Sequence, residues 1–410
     1  MTRKSFLCVA IITVVSVSAL TAATSNPNAI PQAKQLLQYL VNLSGQKILS
    51  GQESMFSAGA FPSSDDKTVF QKTGKYPAIY TSDFGDVNTG NLTDRNKVVS
   101  NAISYHAKGS IIAFQYHMIQ PNLPDGSGFS AMNIKGSTYT YVPQILTAGS
   151  TYNLEFNKRL DELSGYFKTL EAAGIAILFR PFHEMNGDFF WWSYQDRFKE
   201  LWIYEWNYLT NTKKCNNVLW VFGVNYYGSA AATSKQSPSF YYPGDAYVDV
   251  LGCDFYLNYG HSYDKRIHDE LRTLGGGKPI AIPENGQMPD IATIRATQPY
   301  WVYFSTWHGF ESTTYNSDAL YTKNYGDPSV ITQDELAIPT TAVFPFANNF
   351  GNGVKALALS PEKSPDVLYT LQGRAIKNCV KNMMAPAGFY FTTRPQVGKS
   401  LIKILSKNRF

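Results

Sequence analysis

Cysteine is scarce in this chain: four of its 410 residues are cysteines, and one of them, Cys8, lies within the first 23 residues. The other three, Cys215, Cys253 and Cys379, are an odd number, so at least one of them is free or pairs with another molecule. Cys253 stands inside an apolar run, where a cysteine behaves as a small buried hydrophobic residue. A chain of this size can build a large core, and we expect no disulfide scaffold.

Long hydrophobic runs are also missing beyond the N-terminal segment. That segment begins with Arg3 and Lys4, continues as the apolar core Phe6–Val17 and ends in small residues, Thr-Ala-Ala at positions 21–23. Such a pattern is typical of a secretory signal peptide. No later stretch is long and apolar enough for a transmembrane helix. The sequence therefore predicts a secreted, extracellular protein with no membrane span.

Charged residues are few, at 16% of the chain, and the net charge of +5 is unevenly distributed. The predicted signal peptide contributes +2, and residues 373–410 contain eight basic residues and no acid, so the residues between carry −5. We therefore expect no nucleic-acid partner. His261, His268 and His308 lack the spacing of metal ligands, and we expect no metal and no cofactor.

What the chain does contain is a series of eight short apolar runs, several of them separated by helical patterns. The runs are Ile48–Gly51, Ala78–Ser82, Ser110–Tyr116, Ile175–Phe179, Asn217–Gly223, Val248–Phe255, Pro279–Ile282 and Trp301–Thr306. This alternation predicts an α/β fold, the (β/α)8 TIM barrel. A doubly wound sheet is the alternative topology, but no glycine-rich phosphate turn follows the first run.

Polar or aromatic residues suited to sugar chemistry stand at the ends of seven of these eight runs. They are Asp83, His117, Arg180 with His183 and Glu184, Asn225, Asp254 with Tyr256, Glu284, and Trp307. Because active sites of TIM barrels lie at the C-terminal ends of the strands, we expect these residues to meet at one rim.

Two glutamates among them suggest a chemistry. Glu184 lies in Arg-Pro-Phe-His-Glu-Met-Asn-Gly-Asp-Phe-Phe-Trp-Trp, which places an acid at the end of a buried strand beside flat aromatic rings. Glu284 follows the seventh run. Either acid alone could be a solvated charge at the start of a helix. As a pair they fit glycoside hydrolysis, and acids on the fourth and seventh strands could approach to about 5 Å, as a retaining double displacement requires.

The segment Arg180–Trp192 resembles the acid/base motif of glycoside hydrolase family 26, whose members are mostly endo-β-1,4-mannanases. The histidine before Glu184 makes the resemblance specific, since related barrel hydrolases usually carry asparagine there. The resemblance covers about residues 30–336 and implies that Glu184 is the proton donor and acid/base and Glu284 the nucleophile. The residues that it assigns to substrate binding are His117, Arg180, His183, Phe189, Tyr256 and Trp307.

The sequence departs from the family pattern at three places. Phe189 stands where the family often has tryptophan, Gln120-Pro121 stand in place of Asn-Pro, and His308 stands where some members have an arginine that reaches the next sugar. These differences concern the binding of individual sugar units rather than the chemical step.

The resemblance implies a monomeric, secreted, retaining endo-β-1,4-mannanase that hydrolyses plant cell-wall mannan, glucomannan or galactomannan. A β-1,3-xylanase, a mixed-linkage β-glucanase and a non-catalytic glycan-binding protein are the alternatives. The predicted domains are a signal peptide at 1–23, a catalytic domain at 24–338 and a basic, β-rich appendage at 339–410.

The appendage resembles the C-terminal sorting and attachment domains found on secreted proteins of Bacteroidetes and Fibrobacter-like bacteria. It would then engage the secretion machinery or attach the protein to the cell surface. A basic β module that adheres to acidic surfaces is the alternative. Its predicted strands are Val354–Leu359, Val367–Leu371, residues 388–391 and Leu401–Leu405.

Overall fold

The computed structural model describes residues 22–54, 61–85, 94–228, 233–259 and 262–336, and the backbone of four short strands between 368 and 405. The chain divides into two compact units, Met1–Phe344 and Pro345–Phe410. Nearly all of the predicted signal peptide lies outside the described residues, as do Cys379 and the predicted strand Val354–Leu359. The predicted domain boundaries stay predictions.

Parallel strands form a closed barrel in the first unit, which confirms the predicted fold class. The strands are β1 (Ile48–Leu49), β2 (Gly51–Glu53), β3 (Ile79–Asp83), β4 (Ile111–Gln115), β5 (Ile177–Arg180), β6 (Val218–Asn225), β7 (Val250–Asp254), β8 (Ile280–Asn285), β9 (Trp301–Thr306) and β10 (Val330–Ile331). The ring runs from β2 to β9 in chain order and closes where β9 pairs with both β8 and β2. β1 continues directly into β2, and β10 pairs with β1 outside the ring.

Helices alternate with the barrel strands, as the apolar periodicity predicts. They are α1 (Pro31–Leu43), α2 (Ser64–Thr73), α3 (Arg95–His106), α4 (Val142–Ile145), α5 (Thr151–Ala172), α6 (Phe198–Trp206), α7 (Pro238–Tyr241), α8 (Lys265–Leu274), α9 (Ile291–Thr297) and α10 (Asp318–Tyr325). Helix α5 begins at Thr151 because the Ser150 hydroxyl accepts a hydrogen bond from the Asn153 N–H and caps the first turn.

Two layers of apolar side chains form the core of the first unit. Along β4, Ile112 and Phe114 belong to a cluster that also contains residues of the surrounding helices. Ile111 and Ala113 belong to a second cluster, to which most of the barrel strands contribute. This alternation is the period of two expected of a strand buried on both faces. Helix α1 contributes Leu36 and Leu40 to the second cluster, so it covers the barrel at the end where the strands begin.

Among the described residues, no helix is both long and apolar enough to cross a lipid bilayer. Cys215 and Cys253 are both buried and free, as expected of small hydrophobic residues.

The second unit contains a four-stranded antiparallel sheet among its described residues. Its strands are β11 (Leu368–Tyr369), β12 (Ala375–Ile376), β13 (Tyr390–Gln396) and β14 (Lys399–Leu405), paired in the order β12-β11-β13-β14. Three of these strands overlap the strands predicted from the sequence.

Candidate active site

The carboxyl ends of the barrel strands carry a buried polar layer. Asp83, Gln115, Arg180 and Asp254 are the last residues of β3, β4, β5 and β7, and Glu284 lies one residue before the end of β8. All five side chains are buried, with at most 3% of each residue exposed. Asp83, Arg180, Asp254 and Glu284 thus lie at one rim, as the sequence predicts, whereas Gln115 was not among the predicted residues.

Three carboxylates face one another at the centre of this layer. One oxygen from each of Glu184, Asp254 and Glu284 lies within 4.8 Å of the other two. Like charges this close cannot all be ionised without compensation. The protein supplies one cation, because the Arg180 guanidinium donates to Asp254 Oδ2 at 2.5 Å and to Glu284 Oε1.

Glu284 is held by two donors. The Tyr256 hydroxyl donates to Glu284 Oε2 at 2.6 Å, while Arg180 donates to the other oxygen. Both oxygens of the carboxyl group are therefore oriented, and the Arg180 cation lies beside it. Such a group is suited to act as a nucleophile.

Glu184 lies in a different electrostatic environment. Burial, followed by the charges of Asp254 and Glu284, raises the pKa of Glu184 well above its ordinary value. Its backbone adopts φ 55°, a left-handed conformation unusual for glutamate, and its N–H donates to the Gly223 carbonyl at 2.8 Å. The left-handed turn lets the chain leave β5 while the carboxyl stays at the rim, in an environment that favours a protonated acid.

The Arg180 guanidinium has several hydrogen-bond partners in the polar layer. Besides the two carboxylates, it donates through Nη2 to Gln115 Oε1 at 3.0 Å. Burial acts to lower the pKa of Arg180, but the charges of Asp254 and Glu284 raise it above the ordinary value. The predicted contact of Arg180 with substrate stays a prediction, and the observed contacts orient the carboxylates.

His117 and His183 form a linked pair beside the acids. His183 is fully buried, and its Nε2 lies 3.0 Å from His117 Nε2 and 3.9 Å from Glu284 Oε1. On the other side of the ring, His117 Nδ1 contacts Asp83 Oδ2. Burial, His117 and Arg180 lower the pKa of His183 well below its ordinary value, so this imidazole is neutral.

Aromatic rings line the opening above the acids. The ring centroids of Trp307, Phe190 and Phe129 lie 5.8, 5.3 and 6.4 Å from that of His117. Phe189 is half-buried, with its ring 4.9 Å from Phe190. Sequence reasoning missed Phe129, which is 42% exposed, because it lies in a long loop after β4 with no periodic pattern.

Two further aromatic rings lie near Tyr256. Phe310 lies 5.8 Å from Tyr256 and 4.3 Å from Tyr315, measured between ring centroids, and Tyr315 is 39% exposed. Aromatic faces near a buried acid pair are suited to bind sugar units.

Glu53 is the second group that the sequence did not reveal. The first apolar run was ended at Gly51, yet β2 continues through Gln52 to Glu53 and delivers this acid to the same layer. Glu53 is 1% exposed and accepts a hydrogen bond from Gln115. Extending this first run by two residues would have identified a rim acid for the one run to which the sequence analysis assigned none.

A closed parallel barrel with an acid pair at its C-terminal rim defines the architecture of a glycoside hydrolase. The chain belongs to glycosyl hydrolase family 26, whose sequence profile matches residues 25–335. This confirms the family recognised in the segment Arg180–Trp192.

Three similar proteins illustrate the relationship. Mannan endo-1,4-β-mannosidase A of Piromyces sp. is 30% identical over 320 residues, which cover 76% of this chain and 50% of the relative. Mannan endo-1,4-β-mannosidase of Bacillus subtilis is 29% identical over 338 residues, which cover 75% and 89%. The structure of GH26A from Muricauda sp. matches with a TM-score of 0.68 and 31% identity, covering 76% of this chain and 99% of that one. The chain thus spans half the length of the Piromyces relative.

Proposed function

We propose that this glycoside hydrolase is a secreted endo-β-1,4-mannanase that cleaves internal bonds of β-mannan with retention of configuration. The mannanase names of the Piromyces and Bacillus subtilis relatives support the substrate class. The separation of the acids supports retention: oxygens of Glu184 and Glu284 lie within 4.8 Å, close to the ~5 Å typical of retaining rather than inverting glycosidases.

In the first step, Glu284 attacks the anomeric carbon, and the glycosidic bond breaks as Glu184 gives its proton to the leaving oxygen. Arg180 and Tyr256 hold the two oxygens of Glu284 oriented for this attack. The raised pKa of Glu184 keeps the acid protonated until the leaving oxygen takes the proton. The products are a glycosyl ester on Glu284 and a free sugar chain with a new hydroxyl.

In the second step, Glu184 is ionised and removes a proton from a water molecule that attacks the same carbon. The ester bond to Glu284 breaks, the carboxylate returns to its ionised form, and Glu184 is protonated again. Two inversions at one carbon give net retention.

Substrate binding follows from the walls of the opening. Trp307 offers an aromatic face beside His117, and Tyr256 lies next to the nucleophile, so these residues surround the sugar at the cleavage point. Phe129, Phe310 and Tyr315 would bind neighbouring sugar units. Removal of residues 1–23 during secretion and surface attachment through residues 339–410 complete the proposal.

The decisive experiment combines a substrate panel with proton NMR of the products. Release of reducing ends from glucomannan and galactomannan, with the new reducing end appearing first as the β-anomer, is the expected result. Hydrolysis of lichenan or β-1,3-xylan alone would contradict the mannanase proposal. An α-anomer appearing first would contradict retention, and binding to mannan without release of reducing ends would indicate a glycan-binding protein.

A further inference from the structure

The carboxyl group of Glu53 lies in the polar layer of the barrel, yet no step of the proposed reaction uses it. Its Oε1 accepts a hydrogen bond of 2.8 Å from Gln115 Nε2. The other end of the same amide, Gln115 Oε1, accepts from Arg180 Nη2 at 3.0 Å. Arg180 Nη2 also donates to Glu284 Oε1. A chain of three hydrogen bonds therefore joins Glu53 on the first strand of the ring to the proposed nucleophile on the seventh.

The direction of each bond in this chain is fixed by chemistry. A guanidinium has donors and no acceptor, so Gln115 must turn its oxygen toward Arg180. Its NH2 group then points at Glu53, which must offer an acceptor. If Glu53 could not accept, the Gln115 amide would lose the partner that holds it in this orientation. Rotation of the amide would place NH2 against the guanidinium, where two donors face each other.

We propose that Glu53 is a positioning residue for the nucleophile, acting through Gln115 and Arg180 on Glu284. Arg180 Nη2 is shared between Gln115 Oε1 and Glu284 Oε1, so a displacement of the amide also changes the contact with the carboxylate. All of these side chains are at most 3% exposed, so water cannot easily replace a lost partner. The inference rests on the proposed function, because it gives Glu284 the role of nucleophile.

The surroundings of Glu53 favour an uncharged carboxyl group. Burial, then the charges of Glu284 and Asp83, raise the pKa of Glu53 well above its ordinary value. Among the described residues, Glu53 Oε2 is buried and has no hydrogen-bond partner. A glutamine at this position would keep the acceptor for Gln115 and would also be neutral, whereas leucine would remove the acceptor. Glu53→Gln is therefore the conservative variant and Glu53→Leu the disruptive one.

The test measures attack by Glu284 on a substrate whose leaving group needs no proton from Glu184. A 2-deoxy-2-fluoro mannobiosyl fluoride carries a leaving group that needs no protonation and traps the glycosyl-enzyme, whose formation is followed by intact mass. Labelling of the full-length wild-type chain at Glu284 tests the proposed function by itself. Because the fluoride leaves without a proton from Glu184, the rate of labelling reports attack by Glu284 and not proton transfer.

We expect Glu53→Gln to label close to the wild-type rate. Glu53→Leu and Gln115→Leu should each be slower by about tenfold or more, the range expected for loss of a hydrogen bond in a buried charged network. The double variant Glu53→Leu/Gln115→Leu should be no slower than Gln115→Leu alone, because both act through one chain. Glu205→Leu, which removes a buried acid of helix α6 outside the polar layer, controls for a general loss of stability.

Several outcomes would overturn the inference while leaving the proposed function intact. In the first, Glu53→Leu labels at the wild-type rate. In the second, Glu53→Gln labels as slowly as Glu53→Leu. In the third, the double variant is slower than Gln115→Leu by the same factor that Glu53→Leu shows against wild type. If Glu53→Leu does not fold, Glu53→Met removes the acceptor with an unbranched side chain and is measured in its place. Failure of the wild-type chain to label at Glu284 would overturn the proposed function itself.

Discussion

At the scale of single residues, the two glutamates of the rim differ in their neighbours rather than in their chemistry. Glu284 receives hydrogen bonds from Arg180 and Tyr256, which orient both of its oxygens. Glu184 is buried near Asp254 and Glu284, which favour the protonated form. Environments that separate the protonation states of two carboxyls are how one site obtains an acid and a nucleophile.

The different surroundings of the two glutamates predict different kinetics for Glu184→Ala and Glu284→Ala. Glu184→Ala should cut kcat/KM on mannan by about 100-fold or more, since general acid catalysis is lost. On a dinitrophenyl mannobioside, whose leaving group needs no proton, kcat/KM should stay near wild type, and azide should restore turnover. Glu284→Ala should be inactive on both substrates. Steady-state kinetics on the two substrates check this, and equal losses on both for Glu184→Ala would exclude it as the acid.

The rim residues could be predicted because each follows an apolar run directly, as Asp254 and Glu284 do. The partners of these residues could not, since a hydrogen bond such as Gln115 to Arg180 depends on which strands become neighbours and on side-chain direction. Phe129 was missed for a related reason: it lies in a loop whose path is set by packing rather than by a sequence period.

At the scale of elements, strand β6 has a glycine, Gly223, where the side chain of Arg180 from β5 passes close to its backbone. A Cβ on Gly223 would lie 2.6 Å from Arg180 Cδ, so only glycine lets the arginine stem pass. The Gly223 carbonyl also accepts the N–H of Glu184, which ties the strand to the acid. Gly223 thus leaves space for the Arg180 side chain and also holds the backbone of Glu184.

Gly223→Ala should therefore displace Arg180 from its carboxylates. We expect kcat to fall by about tenfold or more, with a loss of about 1–3 kcal/mol in the free energy of unfolding from overpacking. Gly165→Ala is the matched control, because nothing lies within 4 Å of its added Cβ on the exposed side of helix α5. It should leave kcat unchanged and raise stability slightly. Equal kcat for the two variants would contradict the argument.

Helix α6 carries a buried acid that gives the stability of the fold a pH dependence. Burial raises the pKa of Glu205 to about 8, and neither carboxyl oxygen has a hydrogen-bond partner among the described residues. The folded state binds this proton more tightly than the unfolded state. The contribution of Glu205 is therefore most favourable below its unfolded pKa of about 4.5 and is lost as the pH rises toward 8.

Glu205→Gln should remove this dependence. The free energy of unfolding of the variant, relative to wild type, should rise with pH between about 5 and 8, by at most about 1.4 kcal/mol per pH unit. The exposed Glu200 on the same helix has its pKa lowered by Arg197, so it is ionised in both the folded and the unfolded state above about pH 5, and Glu200→Gln should show no trend in this range. Urea unfolding at several pH values measures both variants. A pH-independent difference between Glu205→Gln and wild type would show that Glu205 is not titrating in this range.

At the scale of the whole molecule, the barrel is completed by residues after the last strand of its ring. β10 pairs with β1 through Ile48 with Val330 and Leu49 with Ile331, and the Ser50 N–H and hydroxyl both donate to the Ile331 carbonyl. The family profile ends at residue 335, just beyond this contact. The residues to which the proposed reaction assigns a role all lie within the first unit.

A chain that ends at Phe344 should then keep kcat/KM on soluble manno-oligosaccharides and the unfolding temperature of its barrel. A chain that ends at Gly326 is the contrasting variant: it removes β10, leaves the edge of β1 and Ser50 without their partners, and should unfold at a lower temperature and lose activity. Calorimetry and kinetics on both chains check this. If the chain ending at Phe344 were inactive on soluble substrates, catalysis would require the second unit, and this prediction would be wrong.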